Sequence, residues 1–312
     1  MQTLKLGTRG SRMALYQTEM VQSLLHGAVP HITPEIVVIT TSGDWRPEQG
    51  EMRLQEAAGG KGLFAREIEY ALLDHAVDIG VHCAKDMPSF LPSGLTLSHF
   101  LTRDDPRDCM ISPKYASIDA LPQGAVIGTC STRRQAILLA KRPDLRIVPL
   151  RGNVPTRVDK LYQGQMDAII LSTSGLYRLG MESEIACILE PEDMLPAAGQ
   201  GCVTLEVRQD ALPTLTPILD KISDATTALC VLAERAALQV LDGSCRTPIG
   251  AYAVLSGPKM HLRILVSRED GTASWHFDET ATVETPDQAI AFGQQAGHVL
   301  RRDVDPAVLA VA

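Results

Sequence analysis

Short apolar runs of strand length alternate with stretches whose apolar residues recur at helical spacing, and this alternation most limits the folds open to the chain. Residues 4–8 read as a strand. Ser11 is placed to cap a helix in which Met13, Ala14, Met20, Val21, Leu24 and Leu25 recur at that spacing. Residues 35–41 read as a second strand. Residues 63–74 read as a helix with Phe64, Ile68, Ala71 and Leu72 on one face, and 78–82 as a short buried strand. The β-α-β-α-β order predicts an α/β domain with a largely parallel sheet.

The rhythm restarts after Arg103-Asp104-Asp105-Pro106-Arg107. Strands are expected at 125–128, 146–150 and 168–171. Helices are expected from a Ser131 cap through Lys141 and over 154–163. A further strand at 202–208 follows the Gly199-Gln200-Gly201 turn. The tail changes character. A helix at 225–241 precedes strands at 249–255 and 260–267, joined at Gly257-Pro258, then a third strand at 274–282 and a last helix at 288–302 opened by Pro286. That order reads as a small α+β domain with an antiparallel sheet.

With 312 residues, 45% of them hydrophobic and 21% charged, the chain has enough apolar matter for two or three cores and too little charge for disorder. A net charge of -8 argues against a general nucleic-acid or membrane-surface binder, so any anion site must come from local clustering of arginine. The first residues turn polar with no apolar run behind them, and no stretch reaches the roughly 18 apolar residues of a membrane span. A cytoplasmic protein is expected. The seven cysteines form no CxxC pair and no regular framework, so neither a zinc site nor any other metal site is expected.

Four local patterns carry chemistry. Arginines gather beside strand ends and helix starts: Arg9, Arg133, Arg134, Arg151 and Arg157. Ligands of open α/β sheets bind outside the carboxyl ends of strands, and Arg suits carboxylate or phosphate. Ordinary surface salt bridges explain the same spacing equally well. In His82-Cys83-Ala84-Lys85-Asp86-Met87-Pro88, a buried strand delivers Lys85 and Asp86 into a loop. A solvated Lys–Asp pair is the commoner reading; in a binding cleft the carboxylate would stabilise a developing cation and move protons. His82 reads as a hydrogen-bonded core histidine. Gly59-Gly60-Lys61-Gly62-Leu63-Phe64 lacks nucleotide-loop spacing and reads as a Gly-rich lid with one cation. Cys245, in Gly243-Ser244-Cys245-Arg246-Thr247-Pro248, lies on a tight turn beside an arginine that favours its thiolate, though an incidental loop cysteine is an equal local reading.

Taken together, these motifs resemble the porphobilinogen deaminase (hydroxymethylbilane synthase) family. The resemblance rests on Gly7-Thr8-Arg9-Gly10-Ser11, the 59–64 and 82–88 segments and Arg103-Asp104-Asp105-Pro106-Arg107-Asp108. It continues through Gly128-Thr129-Cys130-Ser131-Thr132-Arg133-Arg134-Gln135, Leu150-Arg151-Gly152-Asn153-Val154, Gly175-Leu176-Tyr177-Arg178-Leu179-Gly180 and 195–201 to the cysteine turn. It implies two α/β lobes with mixed sheets, like those of hinged periplasmic binding proteins with a cleft between the lobes, plus a small C-terminal α+β domain. Domain 1 would be 1–103 with 200–221, domain 2 104–199, and domain 3 222–312.

The resemblance also implies a transferase of tetrapyrrole (haem) biosynthesis. Four porphobilinogen molecules would be joined head to tail, with loss of ammonia, on a dipyrromethane cofactor held through a thioether to Cys245, and water would release the linear hydroxymethylbilane. Asp86 matches the catalytic aspartate. Lys85, Asp86, Thr129, Ser131, Arg133 and Arg134 match cofactor-binding positions. Arg9, Ser11, Arg151, Arg157 and Arg178 match substrate-binding positions, joined by Gln17 and Gln200, and Lys61 and Phe64 belong to the lid. A monomer is expected, with the small-molecule substrate as its partner and neither nucleic acid nor membrane.

The chain departs from the family pattern at small positions. Cys83 and Cys130 stand where serine is common, Ser244 replaces a glycine, and Gln55-Glu56-Ala57-Ala58 lacks the family's second lysine near the lid, for which Arg53 is the nearest substitute. Two other classes compete. A non-catalytic two-lobed anion-binding protein would need neither Asp86 nor a tethered cofactor. A transcription-factor effector domain would need a helix-turn-helix ahead of the first α/β unit, which begins near residue 4.

Overall fold

A computed structural model describes residues 2–41, 65–241 and 247–309. The first third comprises β1 Gln2–Arg9, α1 Arg12–Ala28, β2 Ile32–Ile39, α2 Arg66–Leu73, β3 Ile79–Cys83 and β4 Leu95–Phe100. The middle comprises β5 Asp108–Ile111, β6 Val126–Gly128, α3 Thr132–Lys141, β7 Arg146–Val148, α4 Val154–Tyr162, β8 Ala168–Ser172, α5 Thr173–Leu179 and β9 Cys187–Leu189. β10 Val203–Arg208, α6 Leu212–Leu219 and α7 Ala225–Val240 follow, then β11 Ile249–Ser256, β12 Lys259–Ser267, β13 Ser274–Thr282, α8 Pro286–Asp303 and α9 Pro306–Leu309.

Contacts divide the described residues into two compact units. The first holds those of 2–41, 65–104 and 202–228. Its sheet has the order β2-β1-β3-β10-β4, with β1 parallel to β2 and β3, and β10 antiparallel to β3 and β4. The strand expected at 202–208 therefore does enter the first sheet. Ser11 caps α1 by accepting from the Ala14 N–H at 3.3 Å. Ala14, Gln17, Thr18, Val21 and Leu25 are the buried face of that helix, and its apolar members pack with Leu4, Leu6, Ile79, Val81 and Leu205. β2 begins three residues earlier than the local pattern suggested, because it pairs with β1 in unbroken register from Gln2↔Ile32 to Arg9↔Ile39. As an edge strand it accommodates Pro34, whose missing N–H removes no ladder bond on the outer side.

The second unit holds the described residues of 105–201 and 229–309. Its five-stranded sheet, β7-β6-β8-β5-β9, repeats the first sheet's plan: a parallel trio, then an antiparallel strand, then an edge. The meander β11-β12-β13 forms a separate antiparallel sheet, and the apolar sides of α7 and α8 cover it through Ala233, Ala237, Ala251, Leu262, Ile264, Phe277, Phe292 and Ala296. The helices approach closely at Gly293, where a Cβ would lie 2.1 Å from the Ala233 carbonyl oxygen. The architecture is thus mixed α/β with a smaller antiparallel sheet.

Several elements carry no clear local signal. β5 and β9 are four and three residues long, too short for periodicity to mark. α6 contains Pro213 in its first turn and Pro217 within it, so its sequence reads as a break. Tertiary packing of Leu215 and Leu219 holds it.

Candidate functional site

Within the first unit, β1 and β3 run parallel as neighbours, so Arg9 and the segment after Cys83 both lie at the carboxyl ends of adjacent strands. A 3₁₀ turn, Ala84–Asp86, caps β3. Ala84 is buried and its N–H donates to the Cys202 carbonyl at 2.9 Å, which anchors the turn to the residue before β10. Lys85 is half-buried and Asp86 exposed, so the turn presents a carboxylate on a fixed base. Arg9 and Ser11 are half-buried, whereas Gln17 is buried on the inner face of α1.

His82 is a buried residue, as expected. Its Nε2 lies 3.0 Å from Glu206 Oε2. Gly80 makes room for the imidazole, since a Cβ there would come within 2.6 Å of Nε2. Glu69 of α2 is buried too. Burial, followed by the charges of Glu206 and Glu67, raises its pKa to about 7.

In the second unit, β6 leads into Thr129 and Ser131. The Ser131 N–H donates to Thr129 Oγ1 at 3.1 Å, and Ser131 Oγ caps α3 by accepting from the Arg134 N–H at 3.3 Å. Arg133 and Arg134 therefore stand in the first turn of α3, and both are buried. Their counter-charge is Asp108, fully buried at the start of β5. Arg133 Nη1 lies 2.8 Å from Asp108 Oδ2, and Arg134 Nη2 2.7 Å from Oδ1. Burial alone would raise the Asp108 pKa, but the charges of both arginines outweigh it and hold the carboxyl well below the usual range. Backbone carbonyls complete the frame: Arg133 Nη1 donates to Leu195 O at 2.7 Å, and Arg134 Nη1 to Ile170 O at 2.8 Å.

Arg151 follows β7 and is buried. Gly152 turns the chain at φ 113°, where other residues would be strained, and Asn153 caps α4 through the Thr156 N–H at 3.0 Å. Half-buried Arg157 folds back, its Nε donating to the Gly152 carbonyl at 2.7 Å. Buried Arg178, on α5, donates from Nη2 to the Gly201 carbonyl at 2.9 Å. Gln200 is fully buried, and its Nε2 donates to the Pro106 carbonyl at 2.6 Å and to Asp108 Oδ1 at 2.9 Å.

Cys245, Lys61 and Phe64 lie outside the described residues. Elsewhere, Cys109 is a core thiol whose pKa burial pushes up to about 12. No group of His, Cys, Asp and Glu among the described residues could hold a metal ion. Sequence reasoning did not single out Asp108. Its only signal is its place at the end of the Arg103–Asp108 run, one residue after Arg107.

Residues 4–215 match the family model described as porphobilinogen deaminase, dipyromethane cofactor binding domain, and residues 228–302 match that of the porphobilinogen deaminase C-terminal domain. The chain belongs to the porphobilinogen deaminase family. A porphobilinogen deaminase of Nitrobacter hamburgensis is 43% identical over 299 residues, covering 95% of this chain and 92% of that one. Another, of Burkholderia pseudomallei, is 43% identical over 303 residues, covering 96% and 90%. The cofactor-binding porphobilinogen deaminase model contains every arginine described above together with Asp86, and the C-terminal model contains Cys245. Among solved structures, the periplasmic aliphatic sulphonate binding protein of Escherichia coli aligns at 11% identity over 76% of this chain and 70% of that one, with TM-score 0.43. A nutrient binding protein from Burkholderia cenocepacia bound to methionine aligns at 15% identity over 72% and 93%, with TM-score 0.44.

Proposed function

We propose that the chain joins four porphobilinogen molecules head to tail, with loss of ammonia, onto a dipyrromethane tethered to Cys245, and releases hydroxymethylbilane by hydrolysis. One observation carries this reading: the two family models cover 4–215 and 228–302, so Asp86, the arginines and Cys245 all lie on matched segments. The donor set fits a cofactor rich in carboxylates. Among the described residues, two buried guanidiniums, Arg133 and Arg134, face only one buried carboxylate, Asp108, and the Thr129 and Ser131 hydroxyls lie beside them in sequence. Lys85 adds a further cation, and Cys245 supplies the thioether sulfur. When bound, the dipyrromethane supplies the pyrrole carbon to which the first substrate is joined.

Asp86 performs the proton work. Its exposed carboxylate, on the anchored 3₁₀ turn, faces the substrate's pyrrole N–H and stabilises the cation left as ammonia departs. The same group assists proton transfer to the leaving amine and takes the proton released when the new carbon–carbon bond restores aromaticity. Arg9, Arg151, Arg157 and Arg178 bind the acetate and propionate groups of substrate and product, helped by Ser11 and Gln17. The chain would work as a cytoplasmic monomer of three domains, 1–103 with 200–221, 104–199 and 222–312.

Intact-protein mass tests the tether and turnover tests the acid. Wild type should exceed its sequence mass by one dipyrromethane, and Cys245→Ser should lack that increment. Asp86→Ala should keep the increment and lose at least about 100-fold in kcat, the usual worth of a positioned acid–base. Active wild type without added mass, or near-normal turnover in Asp86→Ala, contradicts the proposal.

A further inference from the structure

The arginine pair of α3 is held by groups that the proposed chemistry does not itself use. Asp108 Oδ1 accepts from Arg134 Nε at 3.2 Å, Arg134 Nη2 at 2.7 Å and Gln200 Nε2 at 2.9 Å, while Oδ2 faces Arg133 Nη1 at 2.8 Å. Gln200 is itself fixed, because the same amide nitrogen donates to the Pro106 carbonyl at 2.6 Å. Asp108 and Gln200 are both fully buried. Arg134 uses all three guanidinium nitrogens within this frame. Arg133 engages through Nη1 alone, leaving Nε and Nη2 without a partner among the described residues.

Two adjacent buried guanidiniums repel each other, and both lose hydration. Arg133 registers this: burial and, secondarily, the Arg134 charge lower its pKa, against the opposing pull of Asp108. A single carboxylate makes the pair tolerable without neutralising it.

We propose that Asp108 and Gln200 are positioning residues for anion binding. Together they lock Arg133 and Arg134 side by side and cancel one of their two charges, so that the pair presents one net positive charge and Arg133's remaining donors to a bound carboxylate. The inference rests on the reading above, in which this pair receives carboxylates of the cofactor or growing chain.

A merely structural role and this one differ in how they couple to the ligand. Without Asp108 the pair is no longer locked side by side, so its contacts with a bound carboxylate weaken and ligand should stabilise the variant less than the wild type. Asp108→Asn is therefore compared in two backgrounds: protein loaded from porphobilinogen, and Cys245→Ser, which stays unmodified. The thermal midpoint should fall by roughly 2–4 °C more in the loaded background than in the unmodified one. A folded Asp108→Asn that acquires no mass increment also supports the proposal, since binding has failed while the fold persists. Equal shifts in both backgrounds, or a larger fall in the unmodified one, overturn it.

Should Asp108→Asn not fold, Gln200→Met replaces it in both backgrounds with the same two outcomes. Arg134→Leu separates this inference from the reading beneath it. If that variant loads cofactor and turns over normally, both fall. If it is impaired while Asp108→Asn or Gln200→Met shifts both backgrounds alike, only the positioning role falls.

Discussion

Asp86 and Asp108 show how little a residue type says without its surroundings. Asp86 is exposed on a short turn, whereas Asp108 is fully buried and enclosed by Arg133, Arg134 and Gln200. Asp108 is held ionised by the arginines and suited to hold charge in place. Glu69 has a third environment. Burial raises its pKa from 4.5 to about 7, so the folded protein binds this proton more tightly than the unfolded chain does. Its stabilising contribution is complete below 4.5 and is lost as pH rises through about 7. Denaturant titrations of wild type should therefore show stability declining by on the order of 1–3 kcal/mol between about pH 5 and about pH 8 from this group. Glu69→Gln should flatten that decline and exceed wild type at the alkaline end; an unchanged slope would assign the decline to other groups.

Among the elements, α3 matters most, because its N-terminus carries the arginine pair. Ser131 Oγ accepts the Arg134 N–H itself, so the cap and the site share a residue. Ser131→Ala should cost about 1 kcal/mol and lower the thermal midpoint by roughly 2–4 °C. Cofactor loading should also slow, while Ser131→Asn, which can cap, should restore most of the midpoint. A midpoint unchanged in Ser131→Ala would show that the cap is not holding this turn. The Ser131 cap and the strands at 126–128 and 168–172 were legible in the sequence, since caps and apolar runs are local signals. β5, which carries Asp108, was not. Its four residues are all buried and show no alternation, and only pairing with β8 and β9 makes them a strand.

At the scale of the molecule, a chain with net charge -8 gathers buried arginines at 133, 134, 151 and 178. Guanidinium groups kept from water in this way stabilise the native state more when an anion joins them, and an anion bound only by the folded protein raises its stability by mass action. Cofactor-loaded protein should thus melt several degrees above Cys245→Ser, by roughly 4–8 °C if the tethered carboxylates contribute about 2 kcal/mol. Coincident melting curves would mean that the arginines gain nothing from the tethered group.

Much of the order of strands and helices, the caps at Ser11 and Ser131 and the family's motifs could be read along the chain, because each depends on residues a few positions apart or on ordered local patterns, whereas β4, β5, α5, β9 and α6 could not. Only tertiary structure decided what the arginines touch. Asp108 meets Arg134 across 26 positions and Gln200 across 92, and β10 enters a sheet begun some two hundred residues earlier. Burial and sheet pairing bring such residues together, and no spacing along the chain encodes which carboxylate a buried guanidinium will find.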